Sequence, residues 1–158
     1  MAAPDSNSPQ EEAKLVAALQ RWADGKATLR DVRGYTDEEL YAIAKTAYFF
    51  FYQGRLNEAR TLFQGLYAIN PADSYFAKAL GVVELASGNA QGALAAYDVA
   101  IKLSPNDAQA YVGRAEVRLT LGQKPQAVED LRRAVSLVPE EDPVGRKAAA
   151  MVSTLSRR

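Results

Sequence analysis

Eight tyrosines, with nineteen basic and nineteen acidic side chains, supply most of the polar chemistry of this chain, because it contains neither histidine nor cysteine. That absence removes the commonest general base, the commonest zinc ligands and the thiol nucleophile together. A Ser-His-acid set cannot be assembled, and the sequence offers no glycine-rich phosphate loop. The expectation is a protein that is not an enzyme and uses no metal and no cofactor. Recognition is what remains. The run Tyr48-Phe49-Phe50-Phe51-Tyr52 points five rings in five directions about 100° apart on a helix, so they cannot all be core. Some must meet an N-terminal helix, a second subunit or a ligand. Tyr48 and Tyr52 suit binding best, since a ring whose hydroxyl still wants a partner belongs at an interface.

Composition narrows the class of partner. The formal net charge is zero, so there is no basic excess to neutralise phosphates and no nucleic acid is expected. The longest strongly apolar run, residues 47–52, is far short of the roughly 20 residues that cross a bilayer, and no membrane insertion is expected. Met1-Ala-Ala-Pro-Asp does not read as a secretory signal, which points to the cytoplasm. A hydrophobic fraction of 48% over 158 residues is enough for one domain with a real core.

The elements that must carry the aromatic residues announce themselves by repetition. Gly54, Gly88 and Gly122 recur at a constant step, and Ala59, Ala93 and Ala127 follow them at the same offset. Phe63, Tyr97 and Leu131, then Leu66, Ala100 and Ala134, then Pro71, Pro105 and Pro139 keep the register. Each residue type has a reason. A glycine ends one helix in the left-handed conformation and lets the next fold back. The alanine sits where paired helices approach most closely, the bulky residue fills the space beside it, and the proline stops the second helix from running on.

This pattern resembles the tetratricopeptide repeat, most closely between Ser74 and Asp107. It predicts an all-α fold of three tandem tetratricopeptide repeats forming a right-handed superhelix, with an N-terminal helix and a C-terminal capping helix. Residues 1–8 read as a disordered start, 9–35 as an N-terminal helical segment suited to dimerisation, 36–139 as the repeats (about 40–73, 74–107 and 108–139) and 140–158 as the cap. Ser8-Pro9-Gln10-Glu11 opens a helix to about Ala23 by N-cap, first-turn proline and capping-box acid, and Thr36 to Glu39 opens another. Further helices are expected over about 56–69, 73–86, 90–102, 107–120, 124–137 and 143–156.

In repeats of this type the first helix of each pair lines the concave side. Counting from the landmarks places Tyr41, Ala44, Tyr48, Phe51 and Tyr52 in the groove, followed by Tyr75, Lys78, Val82 and Leu85, then Gln109, Val112, Glu116 and Leu119. The set is mostly apolar. Domains of this family that grip a chaperone's C-terminal carboxylate carry Lys, Asn, Asn, Lys and Arg where this chain has Ala44, Tyr48, Ala79, Gln109 and Gly113. No cationic clamp can form from those residues.

The stretch from Ala27 to Gly34 lies outside the general repeat pattern. Together with Tyr48, Gln53-Gly54-Arg55-Leu56, Glu58-Ala59, Phe63 and Leu66, it resembles the class II chaperones of bacterial type III secretion, which bind translocator proteins. The resemblance implies a cytoplasmic, ATP-independent holding chaperone that keeps hydrophobic translocators soluble before export. It also implies that the groove takes an extended N-terminal segment of the client, that Tyr48 is a groove tyrosine, and that two copies pair through the N-terminal helical region. The alternative is a generic repeat scaffold or adaptor assembling another bacterial protein complex.

Overall fold

The computed structural model describes residues 8–157, except the side chain of Glu12. The expectation of disorder over 1–8 therefore falls, Ser8 apart, outside the described residues. Nine helices follow one another there, with no strand between them: α1 Pro9–Ala23, α2 Leu29–Arg33, α3 Asp37–Tyr52, α4 Leu56–Ile69, α5 Ser74–Ala86, α6 Ala90–Leu103, α7 Ala108–Thr120, α8 Lys124–Leu137 and α9 Pro143–Ser156. Helices α3 and α4, α5 and α6, and α7 and α8 pack as hairpins; each hairpin packs on the next, and α9 packs on α8.

Local chemistry explains the boundaries. Gly54, Gly88 and Gly122 each adopt a positive φ (75°, 80° and 74°) at the turn inside a hairpin, a conformation that costs a side-chain-bearing residue about 1 kcal/mol or more. Between hairpins an aspartate caps the following helix. Asp73 accepts from the Tyr75 amide at 2.9 Å and Asp107 from the Gln109 amide at 3.0 Å, so α5 and α7 begin one residue later than the periodicity suggests. The element not foreseen is α2. Thr28 and Asp31 form a reciprocal capping box, and Gly34 closes the short helix with φ 73°.

The interior runs along the stack as three adjoining clusters. The first gathers Leu40, Ala44, Ala47, Phe63, Leu66, Phe76 and Val83; the second centres on Ala93, Tyr97, Ala100 and Val117; the third joins Val112, Leu131 and Ala134 to Ala148 of α9. Ala59, Ala93 and Ala127 are fully buried, as close helix approach requires. Such a core couples each repeat mainly to its neighbours. Opposite the inner wall, Arg114 of α7 binds Asp130 of α8 at 2.7 and 2.9 Å and Asp98 of α6 at 2.9 Å. Arg118 adds a bond to the same buried Asp130 at 2.9 Å. This network fixes the rotation of α7, and therefore which of its residues face inward. Among the described residues no helix is long and apolar enough to cross a membrane.

Candidate functional site

Helices α3, α5 and α7 lie side by side and line a cavity of about 430 Å³. Its walls take Tyr48 from α3, Lys78 and Val82 from α5, and Gln109, Val112, Gly113 and Glu116 from α7. Helix α9 closes one end with Pro143, Val144 and Lys147, and Tyr97 reaches it from α6. Six of the thirteen expected groove positions, Tyr48, Lys78, Val82, Gln109, Val112 and Glu116, thus meet in one space. They come together because residues three and four apart share a helix face, and equivalent faces of successive hairpins point the same way.

The remaining positions lie elsewhere. Ala44 is buried at 1% exposure in the first cluster, which corrects its assignment to the groove. The reason is phase: Leu40, Ala44 and Ala47 form the core stripe of α3, so the inward stripe is Tyr41 and Tyr48, not Ala44. Phe51 packs partly into the same cluster, and Leu85 packs against the second. Tyr41 and Tyr75 stack edge to face at 5.3 Å beside the cavity, and the Tyr41 hydroxyl donates to Asp73 at 2.7 Å. That bond holds the proton on the phenol and pushes its pKa up to about 12. Tyr52 stacks on Tyr48 with centroids 6.2 Å apart but is 81% exposed. Leu119 lines a neighbouring, more apolar recess of about 350 Å³ with Ala150, Met151, Thr154 and Leu155 of α9.

The aromatic run sorts accordingly. Tyr48 faces the cavity, with its ring edge against Phe63 at 4.9 Å, and burial pushes its hydroxyl pKa upward. Phe50 is half-buried under the Arg55 guanidinium, 4.3 Å from its ring centre. Phe49 remains exposed, and α1 packs against α2 instead of covering it.

The charges of the cavity are already matched. The Lys78 ammonium donates to Asp107 at 2.7 Å and to Gln109 at 3.1 Å, and Lys147 meets Glu116 at 2.6 Å. A ligand carboxylate would have to displace one of these acids to gain a cation. The arrangement favours an uncharged, apolar occupant, with Val82, Val112 and Val144 as contact surface and tyrosine hydroxyls as polar points. Two contributions escaped the sequence reading. Helix α9 was expected only to cap the stack, and Tyr97 only to fill space beside Ala93.

A sequence profile described as Tetratricopeptide repeat matches residues 45–108 and 78–143. No curated protein sequence matches the chain. Among solved structures, the Yersinia enterocolitica type III secretion translocator chaperone SycD is similar, with 21% identity and a TM-score of 0.76 over 81% of this chain and 98% of SycD. PcrH of Pseudomonas aeruginosa, solved in complex with the chaperone binding region of PopD, is similar at 22% identity and a TM-score of 0.73, covering 79% of this chain and 96% of that one. A type III secretion system complex from Aeromonas hydrophila gives 20% identity and a TM-score of 0.80, covering 89% and 96%. At these identities the likeness establishes a common fold.

Proposed function

Because the chain belongs to the tetratricopeptide-repeat family, whose profile spans residues 45–143, we propose that it is a holding chaperone whose cavity binds an extended apolar segment of another protein. The client class is the hydrophobic translocators of type III secretion. Membrane-inserting segments aggregate in water, and a partner that covers part of such a protein before export keeps it soluble. The single observation that carries this reading is the cavity itself, with valines and tyrosine on its walls and every lysine already paired. Its support is the set of similar structures, one of which is SycD in complex with a peptide of the translocator YopD. Binding of this kind makes and breaks no covalent bond, so it requires no nucleotide, and it takes place in the cytoplasm before secretion. The exposed apolar stripe of α1 serves to pair two copies.

The test replaces Tyr48 and Val82 together with glutamate. Once a segment covers the groove, each carboxylate would be shut against apolar side chains with no free cation to meet it, which costs binding several kcal/mol per buried charge. Co-expressed with the hydrophobic translocators of the host's own secretion system, the wild-type chain keeps them in the soluble fraction, and the double variant loses them while its helical circular dichroism and melting stay the same. Translocators that remain soluble with the folded double variant would sink the groove assignment.

A further inference from the structure

Tyr97 stands on α6, the second helix of its hairpin, yet it lines the cavity built by the first helices. It reaches there between two glycines. A Cβ on Gly81 of α5 would lie 2.8 Å from Cε2 of the ring, and a Cβ on Gly113 of α7 would lie 2.5 Å from the hydroxyl oxygen. Neither position admits a side chain while the ring keeps its place. Gly113 lines the cavity beside Val112 and Glu116. The two missing side chains therefore open a passage between α5 and α7, and the phenol end of Tyr97 arrives at the cavity floor. With 4% of its surface exposed, the residue is held there by packing.

At the floor the hydroxyl has no hydrogen-bond partner among the described residues. Beside the cavity, by contrast, the Tyr41 hydroxyl is satisfied, donating to Asp73 at 2.7 Å. Burial first, and then the neighbouring carboxylates of Glu116 and Asp107, hold the proton on the Tyr97 oxygen. In the open cavity water can serve the group. Once a peptide covers the floor, the hydroxyl must be bonded by that peptide or left without a partner, and the second outcome is costly.

We propose that the Tyr97 hydroxyl, brought to the cavity floor through the Gly81 and Gly113 passage, donates a hydrogen bond to a main-chain carbonyl of the bound segment and sets its register between α5 and α7. The inference rests on the groove-binding reading and names a residue that determines how the segment sits. A neutral carbonyl is the acceptor because Glu116 and Asp107 disfavour a second carboxylate nearby. The donor is fixed before binding, so little side-chain entropy is lost in using it.

The geometry makes the sign of one substitution decisive. Tyr97→Phe keeps the ring between the glycines and removes only the oxygen. If the hydroxyl bonds the segment, its loss leaves a carbonyl unmatched and weakens binding; if the segment merely buries it, its loss relieves an orphaned group and tightens binding. The probe is a phage-displayed library of random dodecapeptides selected on the wild-type chain, with the enriched peptides then synthesised with blocked ends. We expect these peptides to bind the Tyr97→Phe variant about five- to tenfold more weakly, with an unchanged melting temperature, and to lose binding to Val82→Glu. Gly113→Ala, which pushes the phenol tip aside, should reproduce the loss. Equal or tighter binding to Tyr97→Phe, by peptides that Val82→Glu rejects, would overturn the role of the hydroxyl and leave the groove intact. Peptides indifferent to Val82→Glu, or no enrichment at all, would overturn the groove reading and this inference with it.

Discussion

The two ends of the helical stack meet the same physical problem and answer it differently. A terminal hairpin exposes an apolar face that in the middle of the array is covered by the next repeat. At the C-terminal end α9 supplies the cover: Ala148 is fully buried, Gly145 lies so close that an added Cβ would stand 2.8 Å from Val138, and Met151, Val152 and Leu155 pack on the third cluster. At the N-terminal end α1 also has an apolar stripe, yet Val16 is 65% and Trp22 47% exposed. Helix α2 buries no residue and is tied to the stack through α4 and a 2.8 Å ion pair from Arg30 to Asp37. An amphipathic pattern alone does not say whether a helix joins the core. One end piece completes both the fold and the groove, while the other leaves its apolar surface exposed.

The largest expected effect comes from attacking the covered end. Ala148→Glu would place a carboxylate at a fully buried position in the apolar cluster that holds Leu131, Ala134 and Val144. Unmatched buried charge destabilises by about 3–5 kcal/mol. Urea denaturation followed by circular dichroism should show a midpoint lowered to match. Peptide binding should fall as well, because Pro143, Val144 and Lys147 on the same helix wall the cavity. A midpoint shift below about 0.5 kcal/mol, the range of ordinary surface changes, would mean that α9 is not the structural end piece described here.

What could be read in advance follows the same division. The three hairpins were legible because glycine, alanine, aromatic and proline marks recur in step, and the helices fall within a residue of the expected bounds. The inward stripe was legible only where helical phase left no choice. Tyr48, Lys78, Val82, Val112 and Glu116 meet at the cavity, but Ala44 differs from its inward neighbours only by a rotation about the axis of α3 that spacing does not fix closely. Tyr97 could not be found this way. Four residues after Ala93 it reads as a packing residue, and only the separation of α5 and α7 shows that Gly81 and Gly113 leave its hydroxyl a way through. The signal for α2 was present: Thr28 and Asp31 have capping-box spacing, although the stretch read as a family signature instead of a helix.

A smaller effect on stability, and a larger one on assembly, is expected at the open end. A chain lacking residues 1–33 removes α1 and α2 but none of the buried core residues of the three clusters. The urea midpoint of the remaining helices should move by less than about 1 kcal/mol. Light scattering should report a change in the number of copies per particle, because the proposed pairing surface has gone. Trp22 is the single tryptophan of the sequence, and its exposure makes it a reporter of α1 alone. In the full chain its fluorescence should change at lower urea than the helical signal. Coincident transitions, or an unchanged particle mass in the shortened chain, would erase the contrast between the two ends.

The smallest effect belongs to α2, whose five residues are too few to persist without their caps. The Asp31 carboxylate accepts from the Thr28 amide at 2.8 Å and from the Thr28 hydroxyl at 2.9 Å, and these bonds hold its pKa below the ordinary 3.8. The sign follows from linkage: a depressed carboxylate contributes stability above its unfolded value, and that contribution disappears as the pH falls through the lower folded value. Asp31→Asn should lower the helical chemical shifts of Leu29 to Arg33 near neutral pH and remove the acid-dependent part of their change. The urea midpoint of the stack should stay where it is, because α2 contributes nothing to the core. A midpoint that follows the Asp31 substitution would instead show α2 to be a structural member of the array, and the N-terminal end would then resemble the C-terminal one.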